Sequence, residues 1–171
     1  MKKILIVDDE KNLRESLVEL LESENFATAE AADGAAALEV LREKAADFAA
    51  ILLDLRMPRV DGLEFLRIVR EENLSSAPVV VVSAFGDSTR MIEAMRRGAF
   101  DYITKPLDIE EILSVLNRAV EQSELSRSSE KSKSNEKEYA GEASEIIGGS
   151  RAIRDVFICL STEPSPRSNA V

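Results

Sequence analysis

The sequence predicts a three-layer α/β domain with a parallel sheet, followed by a polar tail. Three observations predict it. Short continuous apolar runs alternate with segments of helical periodicity. Those runs are apolar at every position, as strands covered by helices on both faces require. Charged, hydroxyl or lysine residues stand at the ends of four of the runs.

In chain order, Ile4–Val7 is the first strand. Leu13, Leu17, Leu20 and Leu21 follow at i, i+4, i+7 and i+8, one apolar stripe of a helix. Phe26–Glu30 is a weaker second strand. Ala37, Leu38 and Leu41 mark the second helix, and Ile51–Leu55 the third strand. Asp61 and Glu64 form a capping box that opens a helix carrying Leu63, Leu66 and Val69. Val79–Val82 is the fourth strand, and Met91, Ile92 and Met95 stripe the fourth helix. Tyr102–Thr104 is the fifth strand. Asp108 and Glu111 open the last helix, with Ile109, Ile112, Leu113, Leu116 and Val120 on one face. Strands alternating with helices close most simply as right-handed crossovers in one sheet.

Composition narrows the function. The chain has 171 residues and a net charge of -10, with 22 Lys+Arg against 32 Asp+Glu. So acidic a chain is poorly suited to hold nucleic acid, because phosphate contacts demand Lys and Arg. It has no histidine and one cysteine, Cys159, which excludes disulfide frameworks, ordinary zinc sites, imidazole-based triads and phosphohistidine carriers. No apolar stretch is long enough to span a bilayer, and the start MKKILIVDDE lacks a signal-peptide pattern. No membrane partner is expected, and the expected location is cytoplasmic.

In an open parallel sheet, ligands bind beyond the carboxyl ends of the strands. The first strand ends in Asp8-Asp9-Glu10. The third runs Leu53-Asp54-Leu55-Arg56. The fourth ends in Ser83-Ala84, and the fifth in Thr104-Lys105-Pro106. Three aspartates, a hydroxyl and a lysine are therefore expected at one edge. Two carboxylates about 4 Å apart repel by roughly 4 kcal/mol at an effective dielectric near 20, so cations must share the site. Mg2+ suits an all-oxygen set. A carboxylate beside Mg2+ and lysine is equipped to attack a phosphoryl donor and form an acyl phosphate. Taken singly, each residue also has an ordinary structural explanation: a solvated turn, a strand end, a surface lysine. Their joint occurrence at four strand ends does not.

The runs ILIVDDE, LLDLRMPRVDG, VVVVSAF and FDYITKP, in this order and spacing, resemble the receiver domain of two-component response regulators over residues 1–121. The resemblance implies a flavodoxin-like, doubly wound sheet of five strands in the order 2-1-3-4-5 with five helices. It implies that Asp54 is the phosphoacceptor, served by a sensor histidine kinase. It implies Mg2+ held by Asp8, Asp9 and Asp54 with the backbone carbonyl of Arg56, and Lys105 paired with the phosphoryl group. Ser83 would be the switch hydroxyl and Tyr102 the aromatic that follows it. The Lys105–Pro106 peptide would be cis. Ala84 would leave the pocket open, and Arg56 and Phe85 would tune phosphoryl lifetime. The protein would be a switch rather than an enzyme, though one able to promote its own phosphorylation and dephosphorylation. The fourth helix, fifth strand and fifth helix would offer a surface for a homodimer.

Residues 122–144 read as a linker. The segment beyond Gln122 has 11 of the 18 serines, and Leu125 is the one aliphatic side chain between Gln122 and Glu138. Residues 145–171 begin EIIGGSRAIRDVF, which resembles the opening of the ATPase domain of nitrogen-regulatory (NtrC-type) sigma-54-dependent activators. After Phe157 the likeness ends. No glycine is followed by lysine, so no phosphate-binding Gly-Lys loop exists, and there is no room for a helix-turn-helix. This chain is therefore expected to bind neither ATP nor DNA itself. The tail is expected to be disordered or a short helix, left from a truncated or frame-altered regulator or belonging to a naturally short one.

Other classes fit less well. An aspartate-nucleophile phosphatase typically carries a second aspartate where Arg56 stands. A flavin phosphate would be repelled by Asp8-Asp9-Glu10. A stand-alone receiver or docking module without output is the alternative to a transcription-related switch.

Overall fold

A computed structural model describes residues 1–43 and 48–142. It contains β1 (Lys3–Val7), α1 (Lys11–Ser23), β2 (Ala27–Ala31), α2 (Gly34–Glu43) and β3 (Phe48–Asp54). These are followed by α3 (Gly62–Glu71), β4 (Val79–Ala84), α4 (Ser88–Arg96), β5 (Asp101–Lys105) and α5 (Ile109–Glu142). The strands form one parallel sheet in the order β2-β1-β3-β4-β5, the predicted order.

Alternate strand residues feed two separate cores, as the two-residue period of a strand demands. Leu5, Val7, Ile51, Leu53, Val79 and Val81 face α2, α3 and α4. Ile4, Ile6, Leu52, Val80, Val82 and Ile103 face α1 and α5. The predicted stripes supply the other halves: Leu38 and Leu41, Leu66 and Val69 on the first face, Leu17, Leu21, Ile112 and Leu116 on the second. Both capping aspartates act as expected. Asp61 Oδ1 accepts from the Glu64 N–H at 2.9 Å, and Asp108 Oδ1 from the Glu111 N–H at 3.1 Å.

The strand ends shift by one or two residues from the sequence-based ones, and two boundaries shift by three or more. β3 starts at Phe48 rather than Ile51, because small, buried Ala49 and Ala50 continue the strand. Helix α5 runs through the segment read as a linker from residue 122, as far as Glu142. No glycine or proline interrupts residues 107–140, so nothing breaks the helix once α5 has nucleated. Its continuation is also tied down. Ser123 is buried, Lys2 pairs with Glu124 at 3.1 Å, and Arg127 Nη2 donates to the Phe48 carbonyl at 2.8 Å. One compact unit accordingly takes in Met1–Lys131. The ATPase-like segment, residues 145–171, lies outside the described residues. Among the described residues no helix is long and apolar enough to cross a membrane.

Candidate functional site

Parallel pairing brings the strand ends to one edge of the sheet. Val7 lies opposite Leu53, Asp54 opposite Val82, and Ala84 opposite Lys105. Asp8 follows β1, Asp54 is the last residue of β3, Ser83 precedes the last of β4, and Lys105 ends β5. The order of the sheet reverses between β1 and β3, where a crevice opens. Asp8 and Asp54 stand on its two sides.

Lys105 joins them. Its Nζ is 2.8 Å from Asp54 Oδ1 and 3.0 Å from Asp8 Oδ2. Both carboxylates are buried, at 4% and 3% exposure, so each needs a counter-charge. Asp54 Oδ2 also accepts the Arg56 N–H at 2.6 Å, and Asp8 Oδ1 the Glu10 N–H at 2.8 Å. Arg14 fixes the backbone below by donating to the Asp8 carbonyl at 2.7 Å. The peptide between Lys105 and Pro106 is cis.

The charges do not balance. Burial pushes the Asp54 carboxyl above its usual range; Lys105 opposes this, and the neighbouring Asp8 adds to it. Burial pulls the Lys105 ammonium down, but its bonds to Asp54 and Asp8 outweigh that and hold it above its usual range. One ammonium thus serves two buried carboxylates, and a second cation is electrostatically welcome. The donor set suits Mg2+, which is commonly held by one or two carboxylates and keeps several waters. The third expected ligand, Asp9, follows Asp8 and is exposed. Among the described residues no three acidic groups form a ready-made metal cluster.

The remaining expected residues are placed as follows. Ser83 is 1% exposed, and its Oγ has no hydrogen bond of good geometry. A weak interaction with the Asp87 carboxyl remains. Tyr102 is half exposed on β5 and lines an apolar groove with Met91, Ile92 and Met95 of α4. Ala84 is exposed beside Ser83, and Phe85 is 91% exposed. Arg56 does not point its guanidinium at Asp54: Nε bonds Asp87 Oδ2 at 2.6 Å and Nη2 bonds Asp87 Oδ1.

Sequence reasoning missed the residues that shape the β3–α3 loop. Asp87 holds Arg56. Arg90 bonds Asp61 Oδ2 at 2.7 Å and the Leu55 carbonyl at 3.3 Å. Arg59, with φ 64°, pairs with buried Asp33. Asp87 stands just ahead of a helix, which is a capping signal; nothing local marks the other partnerships, which join residues 26 to 35 positions apart. The assembled site is a buried carboxylate with an ammonium on one side, a second carboxylate behind and a hydroxyl one strand away. It is suited to take an electrophile such as a phosphoryl group at Asp54.

Comparison with known proteins points the same way. Residues 4–117 match the family described as the response regulator receiver domain. The sequence is 32% identical over 154 residues to the DNA-binding transcriptional regulator NtrC of Escherichia coli (strain K12), covering 90% of this chain and 31% of that protein. It is 36% identical over 121 residues to the regulatory protein AtoC of the same organism, covering 71% of this chain and 26% of that one. The crystal structure of NtrX from Brucella abortus matches with a TM-score of 0.69 and 33% identity over 77% of this chain and 29% of NtrX. This chain therefore spans less than a third of the length of each of these relatives.

Proposed function

This chain belongs to the response regulator receiver domain family, and we propose that within it Asp54 accepts a phosphoryl group from a sensor histidine kinase and so switches a transcription-related output. Members of the family are phosphoacceptor switches rather than classical enzymes, and histidine kinases phosphorylate them. The observation that carries the reading is the Lys105 ammonium, 2.8 Å from buried Asp54 and 3.0 Å from Asp8. Transcription enters because NtrC is named a transcriptional regulator.

In the proposed step an Asp54 carboxylate oxygen forms a bond to phosphorus. The bond from phosphorus to the donor's imidazole nitrogen breaks, and that nitrogen takes up a proton. Lys105 pairs with the incoming phosphoryl oxygens, exchanging part of its contact with Asp54 for them. Asp8, Asp9, Asp54 and the Arg56 carbonyl would hold Mg2+, which supplies charge neutralisation for phosphoryl transfer. Burial of Asp54 excludes bulk water and strengthens each of these interactions. Ser83, buried and without a hydrogen bond of good geometry, would donate to a new phosphoryl oxygen at the strand edge. Its movement would vacate space for Tyr102 and remodel the surface of α4, β5 and α5, where a second copy of the chain would bind.

The test is phosphorylation by acetyl phosphate with and without Mg2+, read by intact mass. A Mg2+-dependent phosphoryl adduct, lost in Asp54→Asn, is expected. An adduct that persists in that variant would move the acceptor elsewhere.

A further inference from the structure

One ion pair beside the site is idle in this scheme. Asp87 occupies the N-cap position of α4, where an aspartate side chain normally accepts a bond from an N–H of the first helical turn. It makes no such bond. Both its oxygens are given to Arg56. Arg56, for its part, sits two residues from Asp54, and its backbone N–H already donates to the Asp54 carboxylate at 2.6 Å. Its side chain is 66% exposed, so the guanidinium has room to turn, whereas the Asp87 side chain is 10% exposed.

We propose that Arg56 and Asp87 form an exchange latch between the Asp54 site and helix α4. The inference rests on the phosphoacceptor reading. An acyl phosphate at Asp54 carries about -1.5 to -2 charge in place of the carboxylate's single one, so up to about one further negative charge arrives on the loop that carries Arg56. Guanidinium binds phosphate oxygens in the same two-pronged fashion as it binds carboxylate, and more charge favours the phosphate. Arg56 then leaves Asp87 for the phosphoryl oxygens. Asp87, released, turns to the backbone N–H groups of residues 89 and 90 and caps α4. No covalent bond changes in this exchange. It adds a route from the site to α4 that starts at Arg56 rather than at Ser83 or Tyr102. In the resting protein the start of α4 is uncapped because Arg56 has claimed its cap.

The test is amide exchange of residues 88–92, read by mass spectrometry on the full chain before and after treatment with acetyl phosphate and Mg2+. In the unaltered protein these amides are expected to slow several-fold on phosphorylation. In Arg56→Gln, Asp87 is released from the start, so slow exchange is expected without any donor and phosphorylation adds nothing. In Asp87→Ala exchange is expected to stay fast in both states while the adduct still forms. Resting Arg56→Gln exchange equal to that of the unaltered protein overturns the latch, whatever its phosphorylation. So does an Asp87→Ala chain whose α4 still slows with the adduct present. Failure of the unaltered protein to gain any adduct overturns the phosphoacceptor reading and the latch with it, and the mass measurement separates that outcome from the others.

Discussion

Gly62 and Asp54 meet backbone to backbone: a Cβ built on Gly62 would lie 2.5 Å from the Asp54 carbonyl oxygen and 2.8 Å from the Leu55 Cα. Gly62 also donates its N–H to the Leu55 carbonyl at 3.2 Å. The start of α3 is thus pressed against the strand end that presents the Asp54 carboxylate. At an open helix position Gly→Ala stabilises by up to about 1 kcal/mol. Here the sign reverses, because the neighbour is backbone and cannot yield. Gly62→Ala is expected to cost about 1–3 kcal/mol in urea unfolding and to slow adduct formation. A stabilised Gly62→Ala chain would show that the contact relaxes freely.

Removing Lys105 leaves two buried carboxylates facing one another. Breaking one side of a buried ion pair costs about 3–5 kcal/mol, and the 28% exposure of the Lys105 side chain places this case near the lower end. Lys105→Met is expected to lose about 3 kcal/mol at neutral pH and to regain part of it when Mg2+ is added. A loss below about 1 kcal/mol, the range of exposed pairs, would mean that water already serves both carboxylates.

Mg2+ should stabilise the unaltered fold with the logarithm of its concentration above the dissociation constant, by about 2.7 kcal/mol at a hundred times that constant. Asp9 is exposed, so Asp9→Ala should leave the metal-free stability nearly unchanged and weaken the Mg2+ response. Thermal melts over a Mg2+ series check this. An identical response in Asp9→Ala would remove Asp9 from the ligand set.

Asp61 ties α3 to α4. Burial tends to raise its carboxyl, but the Glu64 N–H and Arg90 prevail and hold it below the usual carboxylate range. Because the folded value is depressed, its stabilising contribution is complete above the unfolded value of about 4 and fades as pH falls through the folded one. Asp61→Ala is expected to cost about 1 kcal/mol at pH 7. The gap to the unaltered protein should narrow below about pH 4. A gap that is constant with pH would assign Asp61 a purely steric role.

The extended α5 makes a prediction about where the folding unit ends. A chain stopped after Ser128 keeps buried Ser123, the Lys2–Glu124 pair and the Arg127 bond to Phe48. One stopped after Glu121 loses all three and should be less stable by about 1–2 kcal/mol. Equal denaturation midpoints would return the boundary to residue 121.

The sequence by itself determined the layers, the strand order through family resemblance, and the site edge. Each apolar run and stripe is written in contiguous residues with a period of its own. Once the strands are parallel their ends must share one edge, so Asp8, Asp54, Ser83 and Lys105 were legible together. Over residues 122–142 the pattern and the structure differ for a related reason. Low apolar content reads as a linker, but the absence of glycine and proline and the anchors at Lys2 and Phe48 let the helix continue. Tertiary structure alone decided the rest: that Arg56 turns to Asp87 instead of Asp54, that Arg90 reaches Asp61, that Ser83 is buried without a good hydrogen bond, and that Asp9 stays outside. These depend on how loops close across some thirty residues. Side chains that far apart choose partners only when the sheet has brought them within hydrogen-bonding distance, and no local pattern records that choice.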